Sequence, residues 1–302
     1  MAKFRAASIS LTEIVFITSN IASFAMYRKK LAEYFSKYYL VNNNTKIEFF
    51  NQFKPGHKKN KQLLVSSDGK TNLFALLFIR KPQVLILNGF GRYERSYYIR
   101  LFFIYANIFK KRIVICAQSY RDFRYLRRFS KVKIYWVPGS GGVRRSIGTS
   151  TTPLAICRSN KFKHIETSLG KALSVFGEID IVGMYGAGDE SKKYNFIGVV
   201  QQLNIFEKSS RFIQLDGYGE GIPHSLNDAV CSNMTIIIEK KCWIKTGFYK
   251  LSKSDVSFAE KKSHFYILKP DTATYANIKK AVNVKTINEL YLQAVRYLEK
   301  NT

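Results

Sequence analysis

The sequence predicts an α/β protein built from parallel sheets. Short apolar segments with the length of buried strands alternate along the chain with segments whose apolar residues recur at helical spacing. Gln83–Leu87 is the clearest buried strand, and Ala25–Tyr39 shows the helical spacing through Leu31, Phe35 and Tyr38. Such alternation is typical of parallel sheets covered by helices. A chain of 302 residues is long enough for two domains of ordinary size.

The predicted elements divide the chain near residue 148. In the first half, strands are predicted at Glu13–Thr18, Lys46–Phe50, Gln83–Leu87, Lys111–Cys116 and Lys133–Val137, and helices at Ala25–Tyr39, Asn72–Phe78 and Tyr97–Phe109. In the second half, strands are predicted at Leu154–Cys157, Ile179–Val182, Lys193–Ile197, Arg211–Leu215 and Met234–Ile238, and helices at Ile165–Val175 and Ile287–Leu298. We therefore expect a first domain over 1–148, a second over 149–284, and a final helical segment over 285–302.

The charge of the chain is strongly positive and unevenly distributed. The formal net charge is +28; residues 1–150 hold 28 Lys/Arg against 6 Asp/Glu, whereas residues 151–302 hold 21 against 15. The first half is therefore attracted to anionic partners. Nucleic acid and an anionic membrane surface are the two candidates. A solvated basic surface without a specific partner is the third interpretation.

The cysteines and the apolar runs limit the class of protein. No two of the four cysteines have the spacing of a zinc or C-x-x-C redox motif. Three of them lie in apolar runs and are expected to be buried, and a reduced, cytosolic compartment is expected. No apolar run approaches the roughly 18 residues of a membrane-spanning helix, and no signal peptide is recognisable. Any membrane association is expected to be peripheral. The sequence contains no H-E-x-x-H or G-x-S-x-G motif, so we expect no metal and no serine nucleophile.

Residues 219–231 form the most informative segment. A glycine-rich turn carries Glu220, a helix is predicted to begin at Pro223, and Asp228 follows one turn later. The free N–H groups of a helix N-terminus suit a phosphate, and flanking carboxylates can accept hydrogen bonds from hydroxyls. Phosphate beside a polyol describes a nucleotide sugar. The simpler interpretation is a helix N-terminus with acidic residues near its positive end.

This segment also resembles a known family. Glu220–Asp228 is similar to the E-x7-E motif of retaining GT-B glycosyltransferases of the family-4-like group, with Asp228 where the family usually has Glu. Four further segments resemble motifs of that group in the same order along the chain: Leu87–Arg92, Gln118–Asp122, Trp136–Val143 and Phe196–Gly198. The resemblance extends from about residue 83 to residue 238.

The resemblance implies a fold and an activity. The fold would be GT-B, with two Rossmann-like domains facing across a cleft and a last helix that crosses back to the first domain. The activity would be hexosyl transfer, with retention of configuration, from a UDP- or GDP-linked sugar without a metal or other cofactor. The acceptor would be a saccharide, lipid-linked as in the assembly of lipopolysaccharide or capsule. The protein would be cytoplasmic and peripheral on the inner face of the plasma membrane.

The resemblance also assigns roles on the donor side. Arg158 and Lys163 have the spacing of the diphosphate-binding pair, and Lys161 is a rival for Lys163 if the loop shifts register. Fixed cations there would stabilise the charge that develops on the leaving diphosphate. Glu220 is expected near the donor sugar. The remaining donor contacts are expected from the backbone of Gly221 and Ile222, from the helix start at Pro223, and from Asp228 on the ribose. His224 either caps this helix or contacts the donor.

Two other sets of residues have open interpretations. The acceptor side of the cleft is expected to include Gly89, Gly91, Arg92, Ser119 and Asp122. Alternatively, the glycines belong to an ordinary strand-to-helix turn, and Asp122 forms an ion pair with Arg124. Gly139, Ser140 and Gly141 are interpreted as a hinge between the domains, with a phosphate cradle as the alternative.

A rival class of function rests on charge. Basic residues alternate with aromatic ones between residues 92 and 128, a pattern that suits single-stranded nucleic acid or a membrane interface. A basic nucleic-acid-binding protein without catalytic activity is therefore the alternative to a glycosyltransferase. A non-catalytic partner subunit that keeps the enzyme fold is a third possibility.

Overall fold

The computed structural model describes residues 13–18, 24–25, 28–33, 38–42, 62–67, 69–78, 81–89, 97–185, 194–200, 204–217, 222–252 and 260–301. These residues form two sheets that follow one another along the chain. The first sheet has the strand order β2-β1-β3-β4-β5-β6, and all its pairs are parallel. Its strands are β1 (Glu13–Thr18), β2 (Tyr38–Asn42), β3 (Gln62–Ser67), β4 (Gln83–Leu87), β5 (Ile113–Ala117) and β6 (Lys133–Trp136).

The second sheet is mixed. Its order is β12-β13-β11-β10-β7-β8-β9; the strands from β11 to β9 pair in parallel, and β13 is antiparallel to both β11 and β12. The strands are β7 (Leu154–Ile156), β8 (Asp180–Val182), β9 (Asn195–Gly198), β10 (Arg211–Gln214), β11 (Thr235–Glu239), β12 (Glu260–Lys262) and β13 (Phe265–Leu268). The predicted α/β class is confirmed, whereas the GT-B arrangement of two facing domains stays a prediction.

The helices connect and cover these strands. They are α1 (Lys29–Ala32), α2 (Gly69–Phe78), α3 (Tyr97–Ile108), α4 (Tyr120–Phe129), α5 (Phe162–Phe176), α6 (His224–Cys231), α7 (Lys240–Thr246), α8 (Phe248–Leu251), α9 (Ala273–Val282) and α10 (Val284–Asn301). Among the helices that the structure describes, none has both the length and the apolar character that a bilayer crossing requires.

Each sheet has apolar packing on both faces. The strands of the first sheet pack against the last helix, α10, through Ile287, Tyr291 and Leu298, which are all buried. The chain therefore returns to the first sheet after completing the second. The second sheet is covered by α5 on one face and by α6 and α9 on the other.

Most predicted elements lie within a few residues of the observed ones, and Glu13–Thr18 and Gln83–Leu87 agree at both ends. The helix predicted to reach Tyr39 is wrong: α1 ends at Ala32, and Tyr38–Asn42 pairs in parallel with β1. Strand β3 (Gln62–Ser67) was not predicted from the sequence. The predicted strand Lys46–Phe50 lies outside the described residues. The four cysteines are free and buried, whereas burial was predicted for three of them.

Candidate functional site

The order of the second sheet reverses between β7 and β10, and a crevice is expected at such a reversal. From β7 the chain continues outward to β8 and β9, whereas β10 and β11 lie on the other side of β7. Ligands of open α/β sheets bind at the carboxyl ends of the strands at such a reversal of order. Arg158 follows β7, and Asp216 and Gly217 follow β10. The sequence-predicted donor residues therefore belong to the two loops that flank this crevice.

The two loops are in contact. Gly217 has a φ of +115°, and a Cβ atom built there would lie 2.1 Å from the carbonyl oxygen of His164. The loop that leads from β10 towards residue 220 therefore packs against the first turn of α5, which contains Lys163. This close approach requires glycine at position 217.

The structure places some of the predicted donor residues and leaves others open. Arg158 and Lys163 are exposed, and Lys161 is half-buried in the 3-10 turn between them. Glu220 and Gly221 lie outside the described residues, so their roles stay predictions.

The segment after this gap leads directly into α6. Ile222 is buried in the core, and Pro223 is the N-cap of α6, which begins at His224.

The pKa of His224 reflects the charges around the N-terminus of α6. Burial lowers the pKa of His224 to about 3, and the positive charges of Arg28 and Arg158 lower it further. The imidazole is therefore neutral at pH 7. Arg28 lies just before α1, after the first strand of the first sheet, and Arg158 follows the first strand of the second sheet. Cations from both sheets thus act on the same helix N-terminus.

Arg28 is a buried cation, with a side chain only 6% exposed. Its Nη2 donates to Ser140 Oγ at 3.1 Å, and its guanidinium centre lies 4.7 Å from the ring centroid of Tyr291. Its Nη1 is buried without a hydrogen-bond partner. Within the described part of the chain, no carboxylate forms an ion pair with Arg28. An uncompensated buried charge costs several kcal/mol, which is a physical reason to expect an anionic ligand near it.

Arg28 was not among the candidates from the sequence. It begins the run Arg28-Lys29-Lys30, which has the pattern of a solvated basic segment. Its burial depends on Tyr291, 263 residues further along the chain, and no local signal announces that contact.

The segment predicted as a hinge is tightly packed. Gly139 and Gly141 have φ values of +84° and +92°, and a Cβ atom at Gly139 would lie 2.3 Å from Asn227 Nδ2. Ser140 Oγ, which accepts from Arg28, also accepts from Gln118 Nε2 at 2.9 Å. Gly139 is required by this close contact with α6, and Gly141 by a contact with α10, where its Cβ atom would lie 2.7 Å from Val284 Cα. Both positions also have the positive φ that favours glycine. Their role as a hinge or as a phosphate cradle stays a prediction.

Asp228 is engaged by protein groups. Its Oδ1 accepts from the backbone N–H of Val143 at 2.8 Å, and its Oδ2 accepts from Arg145 at 3.3 Å. Burial raises the pKa of Asp228 to about 6, although the contacts with Val143 and Arg145 act in the opposite direction. Asp228 thus ties the segment after residue 142 to α6. A ribose contact stays a prediction, and it would require this carboxylate to exchange partners.

The acceptor-side candidates are only partly described. Ser119 is buried and caps α4, because its Oγ accepts from Asp122 N at 3.3 Å. The Asp122 carboxylate lies 3.6 Å from Arg121 Nε and is buried. Gly89 follows β4 with a φ of +142°, whereas Gly91 and Arg92 lie outside the described residues.

A groove that the sequence analysis did not identify lies between α4 and α7. It has a volume of about 640 Å³ and is lined by basic and aromatic side chains with a single carboxylate. Its lining residues are Tyr120, Arg121, Arg124, Tyr125, Arg128, Phe129, Asp216, Lys241, Ile244, Lys245 and Tyr249. We call it the α4–α7 groove. The regular spacing of tyrosines and arginines along Tyr120–Phe129 is the sequence signal that could have indicated it.

Within the described residues, no group of three or more His, Cys, Asp or Glu side chains has the arrangement of a metal site.

Comparisons with known proteins give little further information. No protein-family model matches the chain, and no curated protein matches it. Among solved structures, it is similar to a UDP-glucosyltransferase from Polygonum tinctorium, capable of glucosylating indoxyl, in complex with 3,4-dichloroaniline. The identity is 8%, the match covers 95% of this chain and 98% of that one, and the TM-score is 0.45. So distant a similarity assigns neither a family nor an activity.

Proposed function

We propose that this protein is a glycosyltransferase that transfers a sugar from a nucleotide-sugar donor to a saccharide acceptor. The observation that supports this proposal best is the placement of Arg28 beside α6: it donates to Ser140, and the adjacent Gly139 packs against Asn227 of α6. The positive charges of Arg28 and Arg158 both act on His224 at the N-terminus of that helix. The first turn of α6 presents backbone N–H groups that have no partner within the helix, as every helix N-terminus does. A diphosphate is the ligand that this combination of cations and amides suits.

The proposed chemistry is stabilisation of a leaving group. Negative charge develops on the diphosphate as the bond to the sugar breaks. Arg28, Arg158 and Lys163 would stabilise that charge, more strongly in the transition state than in the ground state. Neutral His224 would add no positive charge of its own, but its imidazole can share hydrogen bonds with the donor.

The finer assignments rest on sequence resemblance. We propose that Glu220 binds the hydroxyls of the transferred sugar, and that transfer is from a UDP- or GDP-linked hexose with retention of configuration. The acceptor is proposed to be lipid-linked.

The proposed location is the cytoplasmic face of a membrane. Apolar side chains at Ile104 and Ile108 are 55% and 64% exposed on α3, next to the exposed cations Lys110 and Lys111. An apolar pair beside cations suits an anionic lipid surface.

Nucleotide binding tests the proposal. We expect UDP, GDP or their sugar conjugates to raise the melting temperature, because a ligand at 100 times its Kd stabilises the native state by about 2.7 kcal/mol. Arg158→Gln should lose most of this shift. Lys171→Gln, which removes an exposed cation from the middle of α5, is the matched control and should keep it. The proposal fails if none of these nucleotides shifts the wild-type protein, or if both variants lose the shift equally.

The charge of the first half favours nucleic-acid binding as a second candidate function. A labelled nucleotide sugar separates the two, since only the enzyme transfers or hydrolyses it. Tight, sequence-specific binding of DNA or RNA together with no response to any nucleotide sugar would favour the alternative.

A further inference from the structure

We propose that the α4–α7 groove binds the acceptor, and that this acceptor bears phosphate or carboxylate groups. This inference rests on the proposed function, because it names the second substrate of the same enzyme. Its evidence is independent of the donor crevice and comes from the charge, the rings and the position of the groove.

The charge of the groove is unbalanced. Five of its lining residues are cationic, whereas Asp216 is its one carboxylate. Asp216 is already paired with Lys245 at 3.2 Å. Arg124, Arg128 and Lys241 are exposed and have no carboxylate partner in the part of the chain that the structure describes. Since Arg124 and Arg128 are four residues apart on α4, they face the same side of that helix. Two guanidinium groups on one wall suit phosphate or carboxylate groups of a ligand.

The aromatic side chains give the groove a shaped surface. The centroid of the Tyr120 ring lies 4.8 Å from that of Trp136 and 5.6 Å from that of Tyr249, and both contacts are edge-on. Tyr125 lies 4.8 Å from Phe129 further along the same helix. Rings that hold one another in place offer flat apolar surface to the C–H face of a sugar, and their hydroxyls can bond to its polar edge. The volume of about 640 Å³ falls within the range of small-molecule sites.

The position of the groove fits an acceptor. Asp216 follows β10 at the beginning of the loop that leads to Glu220. Its backbone N–H donates to Glu239 Oε2 at 2.9 Å, and Glu239 is the residue before α7. This hydrogen bond therefore joins the start of the proposed donor loop to the residue from which α7, a wall of the groove, begins. A ligand in the groove would lie at the edge of the donor crevice.

Titration calorimetry with defined saccharides tests this inference. The probes are tetragalacturonate, which carries carboxylates, and maltotetraose, which is neutral; farnesyl pyrophosphate represents a lipid-linked anion. At physiological salt we expect tetragalacturonate or farnesyl pyrophosphate to bind at least tenfold more tightly than maltotetraose, and the stronger of the two identifies the source of the anion. The double variant R124Q/R128Q should lose tenfold or more of that affinity. The control K110Q/K111Q, which removes the same charge outside the groove, should change it less than twofold.

The outcomes are separable. Three results would each overturn the acceptor assignment. The first is equal affinity for neutral and anionic probes, and the second is an equal loss of affinity in the two double variants. The third is tighter binding of a single-stranded oligonucleotide through Arg124 and Arg128. Failure of the donor proposal looks different, because UDP and GDP would then leave the melting temperature unchanged while the groove still bound its anion. R124Q/R128Q should keep the nucleotide shift of the wild-type protein.

Discussion

Arg28 is the residue at which stability and the proposed function conflict. Its guanidinium is buried, donates to Ser140 and lies against the ring of Tyr291. A buried charge carries a desolvation penalty of several kcal/mol, which an apolar side chain of similar volume avoids. We therefore expect Arg28→Met to raise the free energy of unfolding, or leave it unchanged, and to weaken nucleotide binding at least tenfold.

Urea unfolding and nucleotide titration of the same Arg28→Met sample check this prediction. Lys29→Met is the matched control, because Lys29 is the next residue and is exposed. It should leave both quantities nearly unchanged. Arg28 would be a structural cation, and not a ligand-binding one, if Arg28→Met lost more than about 2 kcal/mol of stability and kept its affinity for the nucleotide, since costs of that size accompany lost core contacts.

His224 and Asp228 predict opposite responses of stability to acid. The pKa of His224 falls from its ordinary 6.5 to about 3, chiefly through burial. Between these values the unfolded chain binds more protons, so His224 destabilises the fold as the pH falls. Burial raises the pKa of Asp228 from 3.8 to about 6. In that window the folded chain binds more protons, so Asp228 stabilises the fold as the pH falls.

Single variants separate the two effects between pH 6 and pH 4. His224→Gln should leave the Asp228 contribution and gain stability on acidification relative to the wild type. Asp228→Asn, which keeps an oxygen for the N–H of Val143, should lose stability relative to the wild type. Each slope should approach about 1.4 kcal/mol per pH unit. Urea unfolding at three pH values measures the free energy of unfolding and its slope with pH. If both variants differed from the wild type by a slope of the same sign, the pKa directions given for His224 and Asp228 would be contradicted.

At the scale of elements, the turn between α7 and α8 sets the shape of the α4–α7 groove. Gly247 has a φ of +82°, and a Cβ atom there would lie 2.4 Å from Tyr120 Cβ and 2.7 Å from Trp136 Cζ2. Gly177 at the end of α5 has a φ of +80° but no atom within 4 Å of such a Cβ. At both positions a residue other than glycine would be strained by the left-handed backbone. The positions differ in whether an added Cβ atom would overlap with neighbouring atoms.

We therefore expect Gly247→Ala to destabilise the protein by about 1–3 kcal/mol more than Gly177→Ala, which is the usual cost of overpacking. Gly247→Ala should also lower the affinity of the groove for its anionic probe, because α7 must move away from α4. Thermal unfolding and titration calorimetry measure the two effects. Equal stability of the two variants would show that the close packing at Tyr120 does not constrain the turn.

The elements also show which features a local pattern can predict. Strand Gln83–Leu87 is buried throughout and apolar from Val84 to Leu87, and its predicted bounds agree with the structure. Such an apolar run can be recognised from the sequence without knowledge of the neighbouring strands. Tyr38–Asn42 follows a helical pattern in sequence, yet it is a strand because β1 offers a parallel edge. Tertiary pairing there outweighs local propensity.

In the candidate site, too, local features were predictable from the sequence and contacts between distant segments were not. The loops after β7 and β10 were identified from their residues, since glycine, proline and charge at a strand end are local signals. Arg28 and the α4–α7 groove depend on contacts between distant segments. Lys245, for example, contributes to the groove only because its backbone carbonyl accepts from Ser119 at 3.3 Å, 126 residues away.

At the scale of the whole molecule, the two sheets divide the charge between them. The balance is 28 − 6 = +22 for residues 1–150 and 21 − 15 = +6 for residues 151–302. The α4–α7 groove takes only part of the excess, since most lysines and arginines of the first half lie outside it. An anionic surface facing the first half would be attracted to many of these charges at once, at about 1 kcal/mol for each one near the lipid.

Apolar insertion would strengthen the proposed contact with such a surface, and α3 has exposed apolar residues that suit it. Ile104 and Ile108 are four residues apart and exposed on one face of α3. Burying an isoleucine side chain contributes about 1.5–3 kcal/mol. The double variant I104S/I108S should therefore bind vesicles containing phosphatidylglycerol at least tenfold more weakly, whereas Val199→Ser, at an equally exposed apolar residue of the second half, should bind as the wild type does. Sedimentation with vesicles measures both; if all three proteins bound equally and salt alone released them, charge without insertion would account for the association.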